Sequence, residues 1–168
     1  MQPFEKGTDV TLIPDVGNRL DELSYEECIV RLRSRVVGRL AVMVGHYPQV
    51  FPMNYQLDDY IVVIRTDPGT KLTAANHANV SFQVDDIDTE TQSGWSVLVE
   101  GMAEDVTDRK GDPITDRSDA LGVEPWAPGE KPRIVRIIPA RVTGRQLVLT
   151  APTDTPTDTT GTPTDTAV

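Results

Sequence analysis

The chain has 168 residues and a formal net charge of −10, a length that suits one domain with a real core. That charge argues against a nucleic-acid partner, because such a binder gathers cations on one face. The single cysteine excludes an intrachain disulfide and fits a reducing compartment. No apolar run approaches the length of a membrane span, and the first ten residues lack a charged stretch followed by an apolar one, so a cytoplasmic chain is expected.

Residues 1–22 read as an N-terminal extension and residues 23–150 as the folded domain. The segment LSYEECIVRLRS opens that domain with a helix. Ser24 is its N-cap and Glu27 the third helical residue, a capping box, with Leu23 placed to staple onto Cys28. Tyr25, Cys28, Ile29 and Leu32 recur at helical spacing, so Cys28 reads as a packed thiol, not a nucleophile. Short strands follow at 38–44, at 49–57, where Pro52 suggests an edge or a bulge, and at 60–66, an apolar run expected to be buried on both faces. A short helix is expected in 69–78 and strands at 79–88 and 94–106. In the last of these, Trp95, Val97, Val99, Gly101 and Ala103 share one face. Residues 107–132 form a Pro-, Gly- and Asp-rich excursion with a helix near 112–121. The stretch 133–149 closes the domain as a strand or hairpin. Residues 151–168 repeat PTDT three times and are almost free of large apolar residues, so this Thr/Pro/Asp-rich tail is expected to be disordered. Many short strands with two or three helices predict a mainly β fold, a small antiparallel barrel.

One stretch stands out for chemistry. YIVVIRT ends in Arg65 and Thr66, Pro68-Gly69 turns the chain, and Thr70 and Lys71 follow. A strand end, a turn and a helix start expose backbone N–H groups. An Arg fork, a Lys charge and two hydroxyls add donors suited to a phosphate. The competing reading is two solvated loop charges, and the spacing matches neither a Walker A loop nor GxGxxG.

The order of these features resembles the flavin-binding split barrel of the pyridoxamine 5′-phosphate oxidase-like family. The similarity runs through LSYEECIVRLRSRVVGRLAV, PQVFPMNYQLDD, YIVVIRTDPGTKL, VSFQVDDID and GWSVLVEGMAEDV, and more weakly through RIVRIIPARVTGR. It is strongest to the small actinobacterial branch. The resemblance implies a six-stranded split β-barrel that forms a homodimer, with flavin at the dimer interface. FMN is the implied cofactor, with a deazaflavin coenzyme as the alternative. Its phosphate would meet Arg65, Thr66, Thr70 and Lys71. Its ring would run beside Pro52, Met53, Asn54 and Tyr55, with Trp95 and Ser96 approaching from one subunit or the other. The implied function is an oxidoreductase acting on a small organic substrate. A flavin or deazaflavin carrier without catalysis, and a deazaflavin-dependent reductase, stand beside it. Arg133, Arg136, Arg141 and Arg145 do not reproduce the phosphate-holding segment of the true oxidase, which puts oxidation of pyridoxamine phosphate itself in doubt.

Other constellations carry less. Asp86, Asp88 and Glu90 alternate in DDIDTE but lack the glycine and distal glutamate of a calcium loop. His46 and His77 have no partner at zinc-ligand spacing. No residue stands out as an acid or base, as expected where a cofactor does the chemistry.

Overall fold

In the first helix, α1 (Tyr25–Arg33), the capping box forms as expected. The Glu27 N–H donates to Ser24 Oγ at 3.3 Å, and the Ser24 N–H donates to Glu27 Oε2 at 2.8 Å. The apolar stripe buries Cys28 and Leu32 completely, and burial pushes the Cys28 thiol pKa up, which suits packing and not reactivity. The computed structural model that shows this describes residues 18–149. The Thr/Pro/Asp-rich tail and nearly all of the N-terminal extension lie outside the described residues.

Seven strands follow one another antiparallel: β1 (Asn18–Leu23), β2 (Val37–Val44), β3 (Tyr47–Asp58), β4 (Ile61–Thr66), β5 (Ala78–Asp88), β6 (Ser93–Asp105) and β7 (Arg133–Leu149). Their order is β1-β7-β4-β3-β2-β5-β6, and β6 pairs back onto β7. Strands β2 to β7 therefore close a six-stranded ring, the expected barrel, and β1 is added outside it along β7. The boundary expected at residue 22 falls inside β1. NRLDEL carries three charges in six residues, so its own pattern gives no strand signal; the open edge of β7 supplies the pairing.

The inward faces alternate as period-2 patterning requires. Leu40, Val42, Val80, Phe82, Val84, Val97, Val99 and Ala103 are buried and fill the barrel. At the β6–β7 crossing the register skips between Glu100 and Gly101. A Cβ on Gly101 would lie 2.1 Å from the Ile138 carbonyl oxygen, so only glycine fits this bulge. Gly144 plays the same part under α1, where a Cβ would meet Cys28 Sγ at 2.6 Å.

Strand β4 is covered on both faces, as its unbroken apolar run implies. Val62 and Ile64 point into the barrel, while Val63 joins a second cluster with Val106, Ile114, Val123 and Ile134. The 107–132 excursion supplies Ile114 and Val123 to that cluster. It holds helix α3 (Pro113–Arg117), with Asp112 as N-cap and Pro113 at the first helical position. The excursion is thus anchored to the barrel wall, and its far end is returned to a fixed place. Among the described residues no helix is long and apolar enough to cross a membrane.

Candidate functional site

The site arises where two strands part. Strand β3 pairs with β2 along residues 47–54 and with β4 only along residues 55–58. The last β3–β4 pair is Tyr55 with Ile64. One step further, Asn54 is paired to Val37 and Arg65 to Ile134. The strands diverge into a wedge, and a cavity of about 300 Å³ fills it. One wall is Pro52, Met53 and Asn54; the other is Arg65 and Thr66. The turn and the short helix α2 (Thr70–Ala75) supply Thr70 and Lys71, and the end of the excursion adds Pro125, Ala127 and Lys131.

The charges here are unlike those of the rest of the chain. Three cations, Arg65, Lys71 and Lys131, face one carboxylate, Asp67, in a protein whose net charge is −10. Arg65 Nε is buried with no hydrogen-bond partner, and its Nη1 reaches only the exposed Asp119, at 3.5 Å. An unpaired buried donor costs its desolvation, about 1–3 kcal/mol and more for a charged group. Lys71 Nζ lies 3.3 Å from Met53 Sδ and 5.2 Å from the centre of the Phe51 ring. Burial lowers its pKa, and the charge of Lys131 lowers it further. Lys131 Nζ donates to Asp67 and, at 2.6 Å, to the Pro128 carbonyl, and its hydrogen bond holds the Asp67 carboxyl below the usual range. An oxyanion in the wedge would satisfy Arg65 and relieve the repulsion between the two lysines. The donor set therefore fits a phosphate.

Seven of the ten residues expected at a cofactor line this cavity: Pro52, Met53, Asn54, Arg65, Thr66, Thr70 and Lys71. Tyr55 does not. It is 1% exposed, its hydroxyl donates to the Leu32 carbonyl at 2.5 Å, and its ring meets Phe82 edge-on at 5.0 Å. Its side chain enters the barrel core, as part of the main buried cluster. Trp95 and Ser96 lie on β6, outside this cavity. They border a separate groove of about 490 Å³ with Leu20, Ile87 and Leu147, and Arg31 sits 5.5 Å above the Trp95 ring.

Two charged residues of the cavity were missed. Asp67 lies within RTDPGTK itself and was legible there. Lys131 is 64 residues from Asp67, at the end of a loop, and only the packing of the excursion brings it back.

Three of the four arginines of β7 are engaged elsewhere, and Arg145 borders the Trp95 groove. Arg133 bonds Asp105 and Asp108, Arg136 bonds Glu104 and Asp112, and Arg141 bonds Glu100. In DDIDTE, Asp86 pairs with Arg35, and Asp88 Oδ1 accepts from the Glu90 and Thr91 N–H groups, tying the β5–β6 turn. Among the described residues no group of three His, Cys, Asp or Glu side chains could hold a metal ion.

Known proteins share this architecture. An FAD-binding protein of Mycobacterium smegmatis is 35% identical, with a TM-score of 0.65 over 75% of this chain and 98% of its own. An FAD-binding protein of Mesorhizobium loti is 30% identical, with a TM-score of 0.61 over 76% and 97%. An uncharacterised protein of Mycobacterium tuberculosis is 29% identical over 141 residues, 80% of this chain and 90% of its own. The family profile described as pyridoxamine 5′-phosphate oxidase matches residues 24–146, which takes in α1, the barrel and the whole wedge, and the chain belongs to that family.

Proposed function

We propose that the protein binds a flavin in the wedge between β3 and β4 and works as a flavin-dependent oxidoreductase on a small organic substrate. The observation that carries this reading is Arg65, a partly buried side chain whose Nε is buried without a protein partner, in a cavity where cations outnumber carboxylates three to one. The M. smegmatis and M. loti relatives, both FAD-binding proteins, support it.

In this reading Arg65 and Lys71 neutralise the phosphate, and Thr66 and Thr70 add hydroxyl donors. Pro52, Met53 and Asn54 form a wall for the ring. FMN is the simplest cofactor that uses all of these contacts, with FAD and a deazaflavin coenzyme as the other candidates. A bound flavin supplies the electron transfer at its ring; the protein binds, orients and shields it from water. Oxidation of pyridoxamine phosphate is not part of the proposal, because three of the four closing-strand arginines, Arg133, Arg136 and Arg141, are consumed by ion pairs with neighbouring carboxylates.

The functional unit we propose is a homodimer in the cytoplasm. Met43, Val50, Met102 and Ile138 stand exposed on the outward side of the barrel, an apolar face that pairing with a second copy would cover. Such pairing is also the route by which Trp95 and Ser96 could approach a flavin held in the partner's wedge.

One observation favours a second reading, a carrier without catalysis: no His, Cys, Tyr or Glu lines the cavity. The visible spectrum of the purified protein tests both. Flavin bands, or uptake of FMN, FAD or deazaflavin by a colourless preparation, support flavin binding; uptake of none of them overturns it. Turnover with NAD(P)H or reduced deazaflavin and a panel of acceptors then separates the enzyme from the carrier.

A further inference from the structure

We infer that Trp126 and Lys131 form a second subsite at the cavity rim, for the adenylate half of a flavin dinucleotide. The inference rests on the flavin reading above and specifies its ligand.

Trp126 is 74% exposed, whereas the other tryptophan, Trp95, is 7% exposed. The Trp126 ring is therefore open to stacking by a ligand. Its place is fixed through its backbone. The Trp126 N–H donates to Asn54 Oδ1 at 2.8 Å, and Asn54 is part of the cavity wall. Pro125 and Ala127, on either side, line the cavity themselves. Prolines at 125 and 128 restrict the backbone of this segment, which fixes the Trp126 Cα between two residues of the cavity lining. Such a ring suits a purine base, which stacks on aromatic side chains without sequence-specific contacts.

Lys131 supplies charge between the two halves. An ammonium has three donors. Two are accounted for by Asp67 and the Pro128 carbonyl, and the third is left for a phosphate. The cavity, about 300 Å³, stands at the lower end of the range for small-ligand pockets. A dinucleotide therefore extends past the rim, where Trp126 stands.

The test compares three ligands on the full chain: riboflavin, FMN and FAD, titrated by flavin fluorescence. Trp126→Ala should weaken FAD by about 5- to 150-fold, the measured scale of base–aromatic stacking. It should leave FMN and riboflavin unchanged, and Trp126→Phe should retain most of the FAD affinity. Lys131→Gln should weaken FAD by about 10-fold more than FMN. The Tm of the flavin-free Trp126 variants should match the parent, since the Trp126 hydrogen bond is made by its backbone. Equal loss of FMN and FAD in Trp126→Ala would place the indole on the ring half and overturn the subsite. No change for any ligand would also overturn it, while a loss of FMN affinity in Lys71→Met would leave the phosphate site standing. Wild-type protein that takes up no flavin overturns both readings together.

Discussion

Replacing Lys71 by methionine separates a phosphate site from a decorative charge, because two measurements should move in different directions. Among the described residues no carboxylate lies within ion-pair distance of Lys71; its ammonium rests against Met53 Sδ at 3.3 Å and over the Phe51 ring. Its pKa is lowered, first by burial and then by Lys131, so its charged form is less favourable in the folded protein than in the unfolded chain. Lys71→Met removes that charge and keeps a side chain of similar length against the same apolar neighbours. The Tm of the flavin-free protein should stay level or rise. FMN affinity should fall, because one charge-assisted contact is lost. A hydrogen bond to a charged group contributes about 1.5–3 kcal/mol, which is about 10- to 150-fold in affinity. Riboflavin, which has the ring and no phosphate, should lose little. The assay is a flavin fluorescence titration at fixed ionic strength, since screening scales the effect. The pH dependence gives an independent readout. Because the Lys71 pKa is depressed, wild-type FMN affinity should decline as pH rises, starting below the ordinary lysine range of about 10.4. The variant should lack that step. Equal losses for FMN and riboflavin, or no loss for FMN, would refute the assignment of Lys71 to the phosphate.

The barrel and its ion pairs allow three more tests. Gly101→Ala puts a Cβ into the Ile138 carbonyl at the β6–β7 bulge, so Tm should drop by the equivalent of about 1–3 kcal/mol, the usual scale of overpacking; an unchanged Tm would show that the bulge relaxes freely. Glu104 accepts from Arg136 Nη2 at 2.7 Å, and that bond holds its pKa below the usual value. A depressed carboxylate stabilises above its unfolded pKa and ceases to as pH falls through the folded one, so any Tm advantage of wild type over Glu104→Gln should be constant above about pH 5 and shrink below about pH 4. Light scattering at micromolar concentration should show a dimer, whose interface we expect to exceed about 2,000 Å². Met102→Glu, on the outward apolar face, should shift it toward monomer, and a monomeric wild type would end the proposal.

The fold was legible wherever one face of an element is buried against one neighbour. The capping box and stripe of α1 are local, and they formed as read. The inward set from Trp95 to Ala103 needed only period 2. Strand β4 was legible for the opposite reason, because a run apolar on both faces requires two covers. What supplies the second cover was not legible. Val106, Ile114 and Val123 are spread through a loop-like composition, and no short-range pattern shows that they converge on Val63. Strand β1 was missed for a related reason. Its charges mask any alternation, and it exists through pairing with residues more than 120 positions away in the chain.

The same division runs through the site. RTDPGTK is contiguous, so its cations could be read as a group, and the structure keeps Arg65, Thr66, Thr70 and Lys71 around one cavity. Of the four consecutive residues from Pro52 to Tyr55, the first three line the cavity and Tyr55 does not, because its ring packs against Phe82 in the core. The buried hydroxyl bonded to Leu32 holds α1 against β3 instead. Residues 52–54 and 65–66 face each other because β3 changes partner from β2 to β4 at residue 55, and that change is set by backbone pairing. The wedge therefore persists whatever side chains line it, while the ligand it accepts depends on what the 107–132 excursion lays across it. Lys131 and Trp126 belong to that excursion. A replacement loop that keeps Ile114 and Val123 in the second core and Lys131 beside Asp67, but alters residues 125–128, should preserve the phosphate contacts and change which flavin is chosen. Loss of FMN binding in such a replacement, with Tm unchanged, would show that the loop builds the phosphate site as well, and that wedge and loop are one unit.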